Sequence, residues 1–209
     1  REKVAFSKFS QSNPYHRKKN EFGVVEQVLE QYWDSDSDSP TYLKDLNIYN
    51  PLFDMNQGSF DETTSFGFRN NFDIYWQVMD CLRAKGRFSI SKSSAQGEIF
   101  KSPKSSDFAE AASTERGSYR ETREENLSYD GDFNVTYAKL FNEVHMVNAV
   151  GGIRLASSKL QTSGYETIGF IDDRYSNPSF STGYPSGAKP SYSTSEKRSV
   201  SYYLNAGYA

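Results

Sequence analysis

The stretch that decides the fold is Ser65-Phe66-Gly67-Phe68-Arg69-Asn70-Asn71-Phe72-Asp73-Ile74-Tyr75-Trp76-Gln77-Val78. Every even position except Asn70 is apolar, and the odd positions read Ser, Gly, Arg, Asn, Asp, Tyr and Gln. Successive side chains on a strand point to opposite faces, so this stretch predicts one long strand with a greasy face and a wet face. Two environments produce that pattern. In a soluble sandwich the greasy face packs on a second sheet; in a membrane barrel it meets lipid while the wet face lines a lumen.

Working outward, the same alternation recurs. Leu82, Ala84, Gly86, Phe88 and Ile90 share a face, as do Leu127, Tyr129, Phe133, Val135 and Tyr137. Val147, Ala149, Gly151, Ile153 and Leu155 follow, then Val200, Tyr202, Leu204, Ala206 and Tyr208. Strands are predicted at about 65–78, 82–91, 117–138, 143–158 and 199–209, with residues 1–10 as the tail of an earlier strand. Long loops fill about 11–64, 92–117 and 169–198, and Glu21 to Tyr32 reads as a short helix inside the first of them. The fold class is therefore all-β, an antiparallel meander with short turns on one side and long loops on the other.

Three regularities bear on the choice of environment. All seven prolines fall in the proposed loops, where no ladder hydrogen bond is lost. The apolar stripes run about 9–11 residues, the length of a tilted membrane-spanning strand. Aromatic residues such as Tyr75, Trp76, Tyr137 and Phe141 gather near the short turns, where an interfacial girdle sits in a barrel. The asymmetry of turns and loops favours part of a large transmembrane β-barrel. The alternative is a soluble secreted β-sheet domain that binds carbohydrate through loop aromatics.

Composition narrows the function classes. The 209 residues carry net charge −3 and 15% aromatics, with fifteen Tyr and fifteen Phe but only 36% apolar residues. That is β-rich and poor in the aliphatic residues that fill a helical core. The balance gives no reason to expect nucleic acid. One cysteine, Cys81, leaves no internal disulfide and no multi-cysteine metal site. No apolar run reaches the ~18 residues of a transmembrane helix, which does not bear on barrel strands. The chain stops on Leu204-Asn205-Ala206-Gly207-Tyr208-Ala209 in mid-alternation and reads as a fragment of something larger.

Three loop motifs then carry a family resemblance. Asn13-Pro14-Tyr15-His16-Arg17-Lys18, Asn50-Pro51-Leu52-Phe53 and the long Gly169-Phe170-Ile171-Asp172-Asp173-Arg174-Tyr175-Ser176-Asn177-Pro178-Ser179-Phe180 resemble, in order, runs of the SusC/RagA family of TonB-dependent outer-membrane transporters. Ile171 stands where that family often has Pro, and Tyr175 where it often has Phe. The resemblance implies a barrel in the cell outer membrane, closed by an N-terminal plug. It implies import of oligosaccharide or peptide energised by TonB, and a SusD-like surface lipoprotein as cap. Nothing in this chain corresponds to the plug, the TonB-contacting segment or a signal peptide.

No nucleophile elbow, zinc motif or phosphate loop is present, so an enzyme is not expected. Substrate or partner contact is assigned to the loop residues Tyr15, Arg17, Trp33, Asp172, Asp173, Arg174 and Tyr175, with Asp172 to Arg174 read as a loop-stabilising pair in preference to paired-carboxylate acid/base chemistry. Arg69, Asp73, Arg83, Lys85, Arg87, Asp130 and Asp132 are read as lumen-lining. Asp34, Asp36 and Asp38, with Asp45 beyond, imitate a calcium loop weakly, because Ser39 stands where its sharp turn needs Gly and Pro40 stiffens it. No cofactor is expected, calcium at those aspartates being the alternative. The apolar face should meet membrane lipid, and the excised chain should hide that face and its edge strands by self-association.

Overall fold

The computed structural model describes residues 15–31 and 47–209. Two elements of a small sheet come first, β1 (Val28–Gln31) and β2 (Asn47–Tyr49), paired antiparallel with Val28 opposite Tyr49. A short helix α1 (Pro51–Met55) follows. Five long strands make the main sheet: β3 (Phe60–Met79), β4 (Leu82–Lys101), β5 (Ser118–Phe141), β6 (His145–Ile168) and β7 (Ser191–Tyr208). They lie in chain order, β3-β4-β5-β6-β7, as an antiparallel meander. The fold is all-β, as the alternation predicts.

The connections that join these strands are of two kinds. Asp80 and Cys81 alone link β3 to β4, and Asn142 to Val144 link β5 to β6. In the second turn Asn142 and Glu143 have φ of 51° and 58°, and the Val144 N–H donates to the Phe141 carbonyl at 3.2 Å. Two consecutive positive φ values define the turn whose twist matches that of paired strands, and Asn is favoured in it. The other connections, residues 102–117 and 169–190, are long.

All five long strands overrun their predicted apolar stripes or begin earlier than expected. Residues 92–101, expected as loop, continue β4, and β6 runs to Ile168 rather than to about residue 158. β7 begins at Ser191 rather than near 199. Ladder hydrogen bonds come from the backbone, so pairing continues where both faces carry Ser, Thr, Lys and Glu and the alternation signal has ended.

The helix expected over Glu21 to Tyr32 does not form over its described residues, 21–31. Asn20 to Gly23 make a turn instead, with Lys19 bridged to Val25 and β1 beyond. The Asn20 side chain accepts from the backbone N–H groups of Phe22 and Val24, and Gly23 sits at φ +77°. A left-handed residue closes the turn, and the β-branched Val24, Val25 and Val28 prefer extended backbone. The expected strand tail at residues 1–10 lies outside the described residues.

The chain divides into two compact units. One comprises Arg1–Thr63, Gly97–Thr122 and Gly164–Pro190; the other comprises Thr64–Gln96, Arg123–Ser163 and Ser191–Ala209. The first unit holds a small aromatic core of Phe100, Tyr119 and Phe170, all buried, with Phe60 and Tyr165 packed on it. Phe170 meets Phe100 edge to face at 5.2 Å between ring centres. The second unit has almost no buried core: Ala84 is its one buried apolar residue among those described.

Candidate functional site

In the second unit the two faces of the sheet are chemically segregated. Phe72, Ile74, Phe88, Phe133, Ile153 and Leu155 line one apolar surface, with Gly86 and Gly131 between the larger side chains. Phe88 stacks on Tyr129 at 6.4 Å, and Leu204 lies over Gly151. These side chains are not covered: Phe66 is 66% exposed, Ile74 69% and Leu204 81%. Soluble monomers rarely expose so continuous an apolar patch.

The opposite face is polar and internally paired. Arg87 Nε donates to Asp73 Oδ1 at 2.8 Å across β3 and β4. Arg154 Nε and Nη2 both donate to Asp130 Oδ2, at 3.1 and 2.8 Å, across β5 and β6. Ser91 pairs with Ser128 at 2.9 Å, and Ser158 donates to Asn126 at 3.1 Å. Asp132 accepts from Asn134 at 3.0 Å and from the Tyr203 hydroxyl at 3.4 Å. Lys85 sits over the Tyr75 ring at 4.9 Å. Among the described residues, Arg69 and Arg83 have no ion-pair partner. Of the seven residues assigned to this face from the sequence, Asp73, Lys85, Arg87, Asp130 and Asp132 thus fall into cross-strand contacts. Arg154 and Lys197, also on this face, were not singled out, although their even and odd positions on the alternating stripes of β6 and β7 place them there.

In the first unit the loops are tied together by short polar side chains. Asn50 caps α1: its carbonyl oxygen accepts from the Leu52 N–H at 3.1 Å, and Pro51 opens the helix. Its amide donates to the carbonyls of Lys18 at 3.0 Å and Glu26 at 2.8 Å. Asn177 repeats the arrangement, accepting from Ser179 N–H at 2.9 Å ahead of Pro178. Two of the three resemblance motifs therefore use Asn-Pro as a helix-start device. The Asp54 carboxylate, buried, accepts from the Ser106 N–H and hydroxyl.

Asp172 and Asp173 belong to the same lattice of contacts. Lys104 Nζ donates to Asp173 Oδ1 at 2.8 Å and to Asp172 Oδ2 at 3.1 Å. Asp173 Oδ2 also accepts from the Gly58 N–H at 3.2 Å, and Asp172 Oδ1 accepts from the backbone N–H and Nε of Arg174. The backbone and side-chain donors of Arg174, then Lys104, hold the Asp172 carboxyl well below its usual range. The same contacts with Asp173 and Asp172 push the Lys104 ammonium upward. These carboxylates are saturated by donors from within the loops, which suits a clamp rather than acid/base chemistry.

The remaining loop candidates are scattered. Tyr175 stacks on Phe180 at 5.0 Å with the Arg174 guanidinium over its ring at 5.9 Å. Tyr15 is 92% exposed, and Arg17 lies 4.0 Å from Glu21. Trp33 and the candidate calcium aspartates Asp34, Asp36 and Asp38 lie outside the described residues.

This geometry has close counterparts among solved structures. Over 90% of its length the chain superposes on a chain of the RagAB peptide importer in the closed-closed state, at a TM-score of 0.68 and 16% identity. The fold is that of a stretch of a RagAB chain. The open-open state of the same importer gives a TM-score of 0.67 at 15% identity, and a structure of the RagAB peptide transporter 0.68 at 14%, each over 90% of this chain. In all three, this chain spans 19% of the RagAB chain it matches. No family model and no curated protein sequence matches it.

Proposed function

We propose that this chain is a wall segment of an outer-membrane transporter of the SusC/RagA type. Its uncovered apolar face meets lipid, its charged face lines a gated lumen, and its clamped long loops stand on the extracellular side. The barrel imports peptides or oligosaccharides with energy relayed by TonB and a SusD-like lipoprotein as surface partner, and it does no covalent chemistry. The observation that carries this reading is the segregation within one sheet. A continuous, exposed aromatic face backs directly onto paired Arg and Asp residues, which fits lipid on one side and water on the other. Likeness in fold to a fifth of a peptide importer chain supports the same reading.

Spin labels placed in the full-length protein test it. On a Cys81→Ser background, labels at Phe72→Cys and Ile74→Cys should be relaxed by lipid-soluble oxygen. Labels at Asn71→Cys and Ser89→Cys should be relaxed by a water-soluble paramagnet. Equal exposure of both faces to the aqueous reagent, with the protein in the soluble fraction, overturns the membrane assignment. Uptake of labelled peptides and oligosaccharides by cells, with and without a functional TonB, tests transport itself.

A further inference from the structure

One band of the polar face carries more positive charge than the chain as a whole would suggest. The chain is net −3, yet Arg69 on β3, Arg87 on β4, Arg154 on β6 and Lys197 on β7 line one broad groove. Asp130 and Glu196 line it as acids, with Asp73 alongside Arg87, and a further cation, Arg198, lines it beside Glu196. Each of these three acids is taken up by one arginine, and Arg69 and Lys197 have no ion-pair partner among the described residues.

Each pairing also leaves donors over. Arg87 shows one hydrogen bond, through Nε, and Arg154 directs Nε and Nη2 to a single oxygen of Asp130. A guanidinium has five N–H donors in a planar fork, so both arginines keep donors for a second oxygen-bearing group. The Ser89 hydroxyl lines the same groove and adds a neutral donor, beside Ser128, which is paired with Ser91. A forked cation beside hydroxyl donors matches a carboxylate.

Resting on the transporter reading above, we propose that this band is a transit subsite for cargo bearing carboxylates. The cargo group bridges spare donors of Arg87 and Arg154, while the unpaired Arg69 and Lys197 at the two edge strands draw it toward the groove. The chemistry serves an acidic peptide or an oligosaccharide with uronic acid units equally, since both present the same planar anion. Basic cargo would meet like charge in a confined space, which disfavours it.

The test uses the full-length transporter in cells and in detergent. Three length-matched peptides, acidic, neutral and basic, and a neutral and a uronic oligosaccharide are compared for uptake and for binding by calorimetry. The expected result is at least a tenfold preference for the acidic over the basic member, shrinking as salt rises. Arg69→Gln combined with Lys197→Gln should cut that preference at least threefold while neutral uptake holds. Arg120→Gln, whose partner is Glu166 and which does not line the groove, should leave it unchanged. A preference confined to the peptide pair or to the sugar pair identifies which source supplies the carboxylate, and either supports the subsite. Uptake of neutral cargo with no charge preference overturns the subsite and leaves the transporter reading standing. A double variant that melts earlier with its preference intact assigns the band to contact with another part of the protein, and likewise overturns it. Failure to take up any cargo sinks both readings together.

Discussion

The ring of Tyr203 on β7 occupies the space that a Cβ on Gly152 of β6 would need. Laid flat over that glycine, the side chain crosses β6 and brings its hydroxyl to within 3.4 Å of Asp132 on β5. A glycine inside a strand is ordinarily a weakness, and an aromatic from the neighbouring strand makes it good. Gly152→Ala should therefore evict the ring and press on the Phe133 carbonyl of β5 rather than simply stiffen the strand, costing about 1–3 kcal/mol as an overpacking substitution. Tyr203→Phe removes only the long hydroxyl contact and should cost about 0.5 kcal/mol. Thermal unfolding of the two variants gives the comparison; an equal loss from both refutes the steric account.

The tight turn between β5 and β6 carries a residue the backbone does not suit. Asn142 tolerates φ of 51°, but Glu143 at 58° places a Cβ against its own carbonyl. Glu143→Gly should stabilise the hairpin by about 1 kcal/mol, the usual cost of that conformation for a residue with a side chain. Asn142→Val should destabilise it, since a β-branched residue suits positive φ least. Denaturant midpoints of both variants check the pair of signs.

The strands were legible because one face had to be greasy and the other wet, and a period of two survives in the bare sequence. Their ends were not, because from Lys92 to Lys101 and from Lys159 to Ile168 the alternation fades, while the backbone ladder and cross-strand pairs such as Tyr119 with Glu98 and Arg120 with Glu166 carry the strands on. Asp172 with Arg174 could be read as a loop pair from their spacing. Their link to Lys104 spans 68 residues and leaves no local trace. Val24, Val25, Val28 and Leu29 mimic a helical stripe, and Gly23 was the signal that decided otherwise. The notch at Gly152 was hidden for a different reason: the ring that fills it comes from another strand, at Tyr203.

Phe170 is the long motif's anchor. It is 2% exposed, packs edge to face on Phe100, and its N–H donates to the Arg116 carbonyl at 2.8 Å. Its neighbour Ile171 is 89% exposed. Phe170→Ala should cost about 3–5 kcal/mol locally by opening a cavity in a very small core. Ile171→Ala should change stability by less than about 0.5 kcal/mol. Limited proteolysis within residues 169–190 reads the difference; similar cleavage of both variants contradicts the anchoring role.

The clamp formed by Lys104 with Asp172 and Asp173 has a defined pH window. The Asp172 carboxyl titrates below its ordinary 3.8, so its contribution is present above that value and disappears as pH falls through the lowered one. Lys104 titrates above its ordinary 10.5, so its contribution is present below that value and disappears as pH rises through the raised one. Amide exchange of the loop at residues 169–175 should therefore stay flat, once corrected for intrinsic rates, across the neutral range and quicken only in strong acid or strong alkali. Asp172→Asn keeps an oxygen for the Arg174 N–H but carries no charge. It should exchange faster at neutral pH and lose the Asp172 part of the acid-side step. Lys104→Met should remove the alkaline step instead. An exchange rate that changes around pH 6 to 7 in the native protein would place control of this loop in another group altogether.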